Sequence, residues 1–438
     1  MHHSLPLDPT SAAAIADAGL RYALVDPGDE AGGVAWVRAD VRGFHADDVD
    51  HKDAVDNLRA FTDRRMTGVY DDTAASPEIP VATVSSWVTS LTTPGTPEQT
   101  QTMDAWAISS VTVSPTHRRR GIARALLEGE LRTAVAGGLP LAALTVSEAT
   151  IYRRFGFACA VLVADWSIDT RRAKWTGPAA RGRVQFVERA ALRAQADDIE
   201  RRARRSIPGE VDRWGRRWDE FFGLTPDTEK ESKGLRAVRY DDENGEPQGF
   251  ALFKLKEHES DFSAHTVVVT EFVAVTDDAY AGLWRFLLEL DLVTEVRASL
   301  RSVDEPLRWM VADARAVRKT AESDHLWLRV LDVPATLTSR RYAAPGSIAF
   351  DVRDALGFAA GRFVLSTDAS GAAACTASDA PADAEVSLDI AELGALFLGG
   401  ISAATLRAAG RLTATPDAAA AIDRLFLSPT PPRLGIWF

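Results

Sequence analysis

Along residues 106–113 apolar and polar side chains follow the period of two of a half-buried strand. Beyond residue 122 the spacing changes, and Ala123, Leu127, Leu131 and Ala134 repeat at helical intervals. Gly137 and Gly138 then end the helix. Between the two periods lies a basic turn. A strand follows over 141–146, and Ser147 and Glu148 open a short helix that closes on Tyr152, Gly156 and Phe157. A further strand over 159–168 completes this first unit. Upstream, 22–25 reads as the first strand, Pro27 and Gly28 turn the chain into a helix through Trp36 and Val37, and helices follow around 41–66. Residues 81–88 read as a strand, the Ala/Ser/Pro/Asp-rich residues 1–20 as a loose arm, and the Thr/Pro/Gly-rich residues 92–102 as a mobile loop.

A charged linker over 169–183 opens a second unit with helical patterns at 188–205 and 211–222. Strand-like runs follow at 234–240, 248–255 and 267–275, with Asn244 and Gly245 as a hairpin turn, and then a helix over 279–290. This repeats the outline of the first unit, but Asp277 and Asp278 stand where the arginines should be, so the turn cannot hold a pyrophosphate in the same way. A strand over 324–332 is expected to open a third unit. There, strands at 348–352, 361–365 and 384–388 belong to a mostly antiparallel sheet, and helices at 390–397, 406–409 and 417–425 supply the other layer of an α+β domain.

The first turn carries the chemistry. A helix start offers unpaired backbone N–H groups and the positive end of the helix dipole, which suits a phosphate. Gly121 has no Cβ to hold a ligand off, and Arg118, Arg119 and Arg124 offer guanidinium forks. By residue type alone, a run such as Arg118, Arg119 and Arg120 is more often a solvated surface patch than a ligand site; its place between a strand and a helix favours the ligand. At the other end of the chain, Leu434, Ile436, Trp437 and Phe438 make an apolar terminus, which implies burial. Either it plugs the third unit, or it carries the terminal carboxylate into a cleft where desolvation favours proton uptake.

Composition narrows the class. A chain of 438 residues implies two or three domains, and a formal charge of −12 argues against nucleic acid and for cationic partners such as amines. Cys159 and Cys375 make no paired framework, and no apolar run spans a bilayer, so a cytoplasmic protein is expected. The cluster His45, Asp47, Asp48, Asp50, His51 and Asp53 matches no metal-ligand spacing and reads as a solvated acidic loop that could draw in a cationic substrate; no metal site is expected.

The spacing of Arg118, Gly121 and Ala123 resembles the Arg/Gln-x-x-Gly-x-Gly/Ala signature of the GNAT acyltransferases, which bind the diphosphate of acetyl-CoA. Tyr152, Gly156 and Phe157 resemble the close of that fold, and the last unit, with Asp389 to Leu393 in its middle, resembles a sterol-carrier-protein-like fold. With the aromatic C-terminal residue, these features resemble the Eis (enhanced intracellular survival) family of actinobacterial N-acetyltransferases over nearly the whole chain. The resemblance implies an α+β protein with two GNAT-like domains in tandem (1–180 and 181–326, the second without a cofactor site) and a sterol-carrier-protein-like domain (327–438).

It also implies that acetyl-CoA is held by Val111, Thr112 and Val113, by Arg118, Arg119, Arg120, Gly121, Ile122, Ala123 and Arg124, and by Ser147 and Glu148. Tyr152 would be the general acid, and the Phe438 carboxylate the general base. The acceptors would be aminoglycoside amines, with lysine side chains as the alternative, and the assembly a homohexamer. A third reading is a non-enzymatic acyl-CoA or lipid-binding protein. Acetyl transfer needs a neutral amine, a polarised thioester carbonyl and a proton for the thiolate. A tyrosine of reference pKa ~10 can hydrogen-bond to a thiolate of ~8.5 in a dry site. No cysteine sits in either motif, so direct attack is expected.

Overall fold

The structure is a computed structural model that describes residues 5–26, 28–96, 99–229 and 231–438. The first unit runs α1 (Pro9–Asp17), β1 (Arg21–Val25), α2 (Glu30–Gly43), α3 (His51–Leu58), β2 (Arg65–Tyr70), β3 (Ala82–Thr96), β4 (Gln99–Val113), α4 (Ile122–Ala136), β5 (Leu141–Thr145), α5 (Ala149–Tyr152) and β6 (Ala158–Asp169). The second continues with β7 (Arg183–Phe186), α6 (Arg189–Ala203), α7 (Gly215–Phe221), α8 (Pro226–Glu229), β8 (Leu235–Asp241), β9 (Pro247–Lys256), β10 (His265–Ala274), α9 (Asp277–Leu288), β11 (Val293–Arg301) and β12 (Val317–Val330). The third holds α10 (Val333–Thr338), β13 (Gly346–Arg353), β14 (Gly361–Thr367), β15 (Ala373–Ala377), β16 (Ala384–Asp389), α11 (Ile390–Phe397), α12 (Ala403–Ala408), β17 (Leu412–Thr413) and α13 (Pro416–Phe426).

Among the described residues, one 12-stranded sheet runs through the first two units in the order β1-β2-β3-β4-β5-β12-β6-β11-β10-β9-β8-β7. The third unit has a 5-stranded sheet, β15-β14-β13-β16-β17, whose β13–β16 pairing is parallel and whose other pairings are antiparallel. The duplication is visible in topology. In each half an antiparallel set of three strands leads through a helix to a strand parallel to the last: β2-β3-β4, α4 and β5 in one, β8-β9-β10, α9 and β11 in the other.

The strand expected to open the third unit does not. It is the end of β12, which crosses the 326/327 boundary and pairs antiparallel with both β5 and β6. Its run His325–Val330 is buried throughout, as suits a strand with neighbours on both edges and cover on both faces.

Three more expectations change. The supposed N-terminal arm forms α1 from residue 9: Asp8 caps it, Ile15 is buried, and the Ser11 hydroxyl donates to the Ala125 carbonyl of α4 at 2.6 Å. The supposed loop at 92–102 continues β3 and β4 as a long hairpin, with Leu91, Thr92 and Thr93 buried against other units. Burial of β-branched side chains there outweighs a loop-like composition. Residues 97 and 98 of that segment, residues 1–4 of the arm and Pro27 of the expected turn lie outside the described residues. In the segment 211–222 only α7 is helical, because Val211 bridges to Leu91 of β3 instead.

Separate apolar cores lie under α4 in the first unit and under α9 in the second. A third joins the C-terminal unit to the hairpin, to β12 and to tail residues Leu434 and Ile436. No helix among the described residues is long and apolar enough to cross a membrane.

Candidate active site

The site is built where β4 and β5 part. Their parallel pairing ends at Ala107↔Ala143, so from Ile108 to Val113 β4 keeps β3 on one side and faces a gap on the other. A bulge marks the departure. Two steps on β3, Thr83 to Ser85, oppose three on β4, Ser109 to Thr112, and Ser110 takes a positive φ of 56°. The Thr83 hydroxyl secures it by donating to the Ser110 carbonyl at 2.8 Å. Val111, Thr112 and Val113 therefore line the lip of the gap.

Beyond Val113 the basic turn leads into α4, whose N-cap is Gly121 at φ +80°. A Cβ there would meet nothing within 4 Å, so glycine is required by the left-handed backbone, and the space in front of the helix start is open. A cavity of about 550 Å³ opens at this turn; Arg118, Arg119, Gly121, Ile122, Ala123 and Arg124 border it, with Val113 at the strand end. The three arginines are exposed, and Arg124 also pairs with Glu128 one turn on at 3.1 Å.

Arg120 departs from expectation. Its guanidinium donates to the Ala18 carbonyl at 2.7 Å, on the α1 side of the helix, and it does not border the cavity. The positive φ of 63° at Arg119 turns the chain between these neighbours.

Ser147 and Glu148 are exposed at the bend between β5 and α5. Tyr152 ends α5 with 7% of its surface exposed, packed edge-on against Phe157. Burial, aided by the Glu148 charge, pushes its hydroxyl up to about 12, so it stays protonated at any working pH. Gly156, at φ +83°, has no room for a side chain, since a Cβ would lie 2.6 Å from Arg329 Nε. Arg329 in turn donates to the Phe155 carbonyl at 2.7 Å and pairs with both oxygens of Asp354, so a loop of the third unit braces this helix end. Leu356 of the same loop forms part of the cavity wall.

Phe438 comes to the end of β5. The Thr145 hydroxyl donates to the main-chain oxygen of Phe438 and accepts from the Phe438 N–H at 3.2 Å. The Phe438 ring packs edge-on against Trp87 at 5.5 Å, and the Arg64 guanidinium lies 3.9 Å from the Trp87 ring centre. Phe438 and the bend of Ser147 and Glu148 thus share one end of β5, while the basic turn lies across the gap at the end of β4.

One carboxylate went unnoticed in the sequence. Asp40 of α2 sits over the bulge, and burial raises it to about 7 against the smaller opposing pulls of Ser110 and Arg64. Only its place on a helix pressed against β4 distinguishes it, and sequence spacing does not report that. The acidic cluster has an ordinary local role, since Asp50 caps α3 by accepting from the Asp53 N–H at 2.8 Å. Among the described residues no group of three or more His, Cys, Asp or Glu side chains could hold a metal ion.

Comparison with known proteins follows this division. Two acetyltransferase (GNAT) domain families match residues 33–160 and 209–330, and a sterol carrier protein domain family matches 333–435. An uncharacterized N-acetyltransferase of Streptomyces avermitilis is 33% identical over 406 residues, covering 91% of this chain and 94% of its own. The N-acetyltransferase Eis of Mycobacterium tuberculosis is 34% identical over 336 residues, 74% of this chain and 78% of its own. The crystal structure of Eis1 from Mycobacterium abscessus, 31% identical, matches with a TM-score of 0.74 over 85% of this chain and 90% of that one.

Proposed function

Because the chain belongs to the Eis family of GNAT N-acetyltransferases, we propose that it uses acetyl-CoA to acetylate amines of polycationic small molecules such as aminoglycosides. The observation that supports this mechanism is the hydrogen bond from Thr145, at the end of the strand that leads to Tyr152, to the main-chain oxygen of Phe438, which we read as the catalytic carboxylate. The open helix start at Gly121, the exposed Arg118, Arg119 and Arg124 and the cavity beside them fit a pyrophosphate. The gap between β4 and β5 fits the pantetheine arm.

Acetyl-CoA supplies the acyl group as a thioester; the rest falls to this chain. Backbone N–H groups at the lip formed by Val111, Thr112 and Val113 hold the thioester oxygen and polarise its carbonyl. The Phe438 carboxylate takes a proton from the ammonium, through water, so that the amine nitrogen attacks the carbonyl carbon directly. As the C–S bond breaks the Tyr152 hydroxyl gives its proton to the departing sulfur, and the proton that the new amide nitrogen sheds restores Tyr152 through water. With its pKa pushed to about 12 the hydroxyl stays protonated and available to donate, and full proton transfer requires that the same dry surroundings raise the thiol's proton affinity as well. The net charge of −12 favours cationic acceptors by long-range attraction.

The test is thiol release from acetyl-CoA with an aminoglycoside as acceptor, for the native chain and for a chain extended by one glycine after Phe438. The extension moves the carboxylate by one residue, and kcat should fall ~100-fold, the scale of losing a positioned base, with the acetyl-CoA KM unchanged. An extended enzyme as fast as the native one rejects the terminal base, and absence of release with every amine rejects the activity. Membership also carries the expectation of a homohexamer, for which light scattering should give six times the 47.4 kDa of one chain.

A further inference from the structure

The duplicated unit contains the same joint as the first, but a piece of the chain itself occupies it. β10 runs parallel to β11 as far as Val269↔Ala298, and beyond that pair the two strands part as β4 and β5 do. Val269 to Phe272 on one side and Ser299 to Arg301 on the other wall this second gap, and Arg433 and Gly435 of the C-terminal tail line it with them. A cavity of about 410 Å³ next to it is bounded by Asp277 and Tyr280 of α9 and by tail residues Pro429, Thr430 and Pro431. The tail therefore lies where the first unit keeps space for a donor.

The tail is fastened nearly residue by residue. Glu210 does most of it, with Arg433 Nη2 at 2.8 Å from Oε1 and the Gly435 N–H donating to Oε2 at 3.3 Å. The backbone carbonyl of Glu210 also accepts from the Thr92 N–H of β3 at 2.9 Å, so the clamp is rooted in the first unit's hairpin. No side chain fits under it easily: a Cβ on Gly435 would lie 3.0 Å from Arg213 Nη2 and 3.4 Å from Glu210 Oε1. Leu434 and Ile436 are buried, and fully buried His325 of β12 meets the Ile436 carbonyl through Nε2 at 2.7 Å. A carbonyl can only accept, so Nε2 carries the proton. The His325 ring also packs edge-on against Trp437 at 4.3 Å, and the next residue is Phe438 on Thr145.

We propose that the cofactor cleft of the second GNAT-like domain has become the dock of the C-terminal tail, and that Glu210 and His325 are positioning residues for the Phe438 carboxylate. Chain termini fray unless tied down, and misplacing a reacting group by about 1 Å can cost ~100-fold in rate. A base carried on a terminus needs such a clamp. The catalytic part of the proposal rests on the reading of Phe438 as proton acceptor; the dock does not.

Two measurements separate these parts. A carboxypeptidase of aromatic preference releases Phe438 only when the tail leaves its dock, and steady-state kinetics report the cost to turnover. In Glu210→Gln and His325→Phe, release of phenylalanine should quicken at least ~10-fold, and kcat should fall ~10-fold or more at unchanged acetyl-CoA KM, as expected of a displaced base. Melting curves establish that each variant is folded. His325→Phe leaves the buried ion cluster intact and carries the test if Glu210→Gln fails to fold. Native release rates in folded variants overturn the proposal, whatever happens to kcat. Faster release with native kcat upholds the dock and instead sinks the terminal base, a result that the glycine-extended chain must then repeat.

Discussion

Asp40 offers the sharpest check on where charge is tolerated at the site. α2 rides directly on the bulged strand, so closely that a Cβ on Gly43 would meet Thr112 at 2.4 Å. Asp40, three residues earlier, is half-buried, with its Oδ1 shut off from solvent and without a hydrogen-bond partner among the described residues. Burial raises the carboxyl from 3.8 to about 7. The native state then holds the proton more tightly than the unfolded chain does. The stabilisation is complete below 3.8 and is lost as the pH rises through about 7. The whole difference is on the order of 4 kcal/mol, of which about 3 kcal/mol falls between pH 5 and pH 8. Asp40→Asn keeps the shape and removes the titration. Urea unfolding followed by tryptophan fluorescence should show its advantage over the native protein growing by about that amount between those two pH values. Parallel stability curves would refute the reasoning. The same variant bears on mechanism, because a carboxylate titrating near 7 beside the gap is the rival to Phe438 as base. With Phe438 as the base, Asp40→Asn keeps kcat within about threefold, far short of the ~100-fold or more that losing a general base costs. A loss on that larger scale, together with disappearance of an acid limb near pH 7, would move the role to Asp40.

Tyr152→Phe should lower kcat ~100-fold or more while leaving the acetyl-CoA KM within twofold, since it removes only the hydroxyl; equal activity in steady-state assays removes Tyr152 as the acid. Arg118→Ala and Arg124→Ala should each raise the acetyl-CoA KM about tenfold, the scale of one lost charge-assisted phosphate contact. Arg120→Ala should leave that KM unchanged and instead lower the melting temperature by freeing the end of α1 at Ala18. A KM that rises equally in all three would mean that the divergence of Arg120 from its neighbours has no functional counterpart.

What the sequence disclosed was local. The strand, the basic turn and the helix start at Gly121 follow from hydrophobic period and backbone chemistry over about twenty residues, and they appear in the structure as read. Long-range burial decided the rest. β2 went unread because Arg65 looks like a surface residue, yet it lies 2.6 Å from Glu130 with both side chains about 1% exposed. The hairpin at 92–102 looked like a loop because its threonines are covered only once the second unit packs on them, through Thr92 and Glu210 among others. Insertion of β12 between β5 and β6 could not be read either, since an apolar run identifies a central strand and not its neighbours.

The tail joins both kinds of information. Its apolarity forecasts burial, and Leu434 and Ile436, worth roughly 1.5–3 kcal/mol each when fully buried, account for the drive to dock. Its destination is written elsewhere, in Glu210, His325 and Thr145, which come from a segment between helices, from β12 and from β5. No period or spacing links those three positions. On the proposed dock, the duplicate domain brings them together. With Asp277 and Asp278 in the first turn of α9, that helix start repels a pyrophosphate, and the gap beside it is lined by the tail residues Arg433 and Gly435. The same parting of strands that leaves an open gap in one copy receives the tail in the other. If Phe438 is the base, as proposed, only a chain whose three domains have already assembled can deliver it.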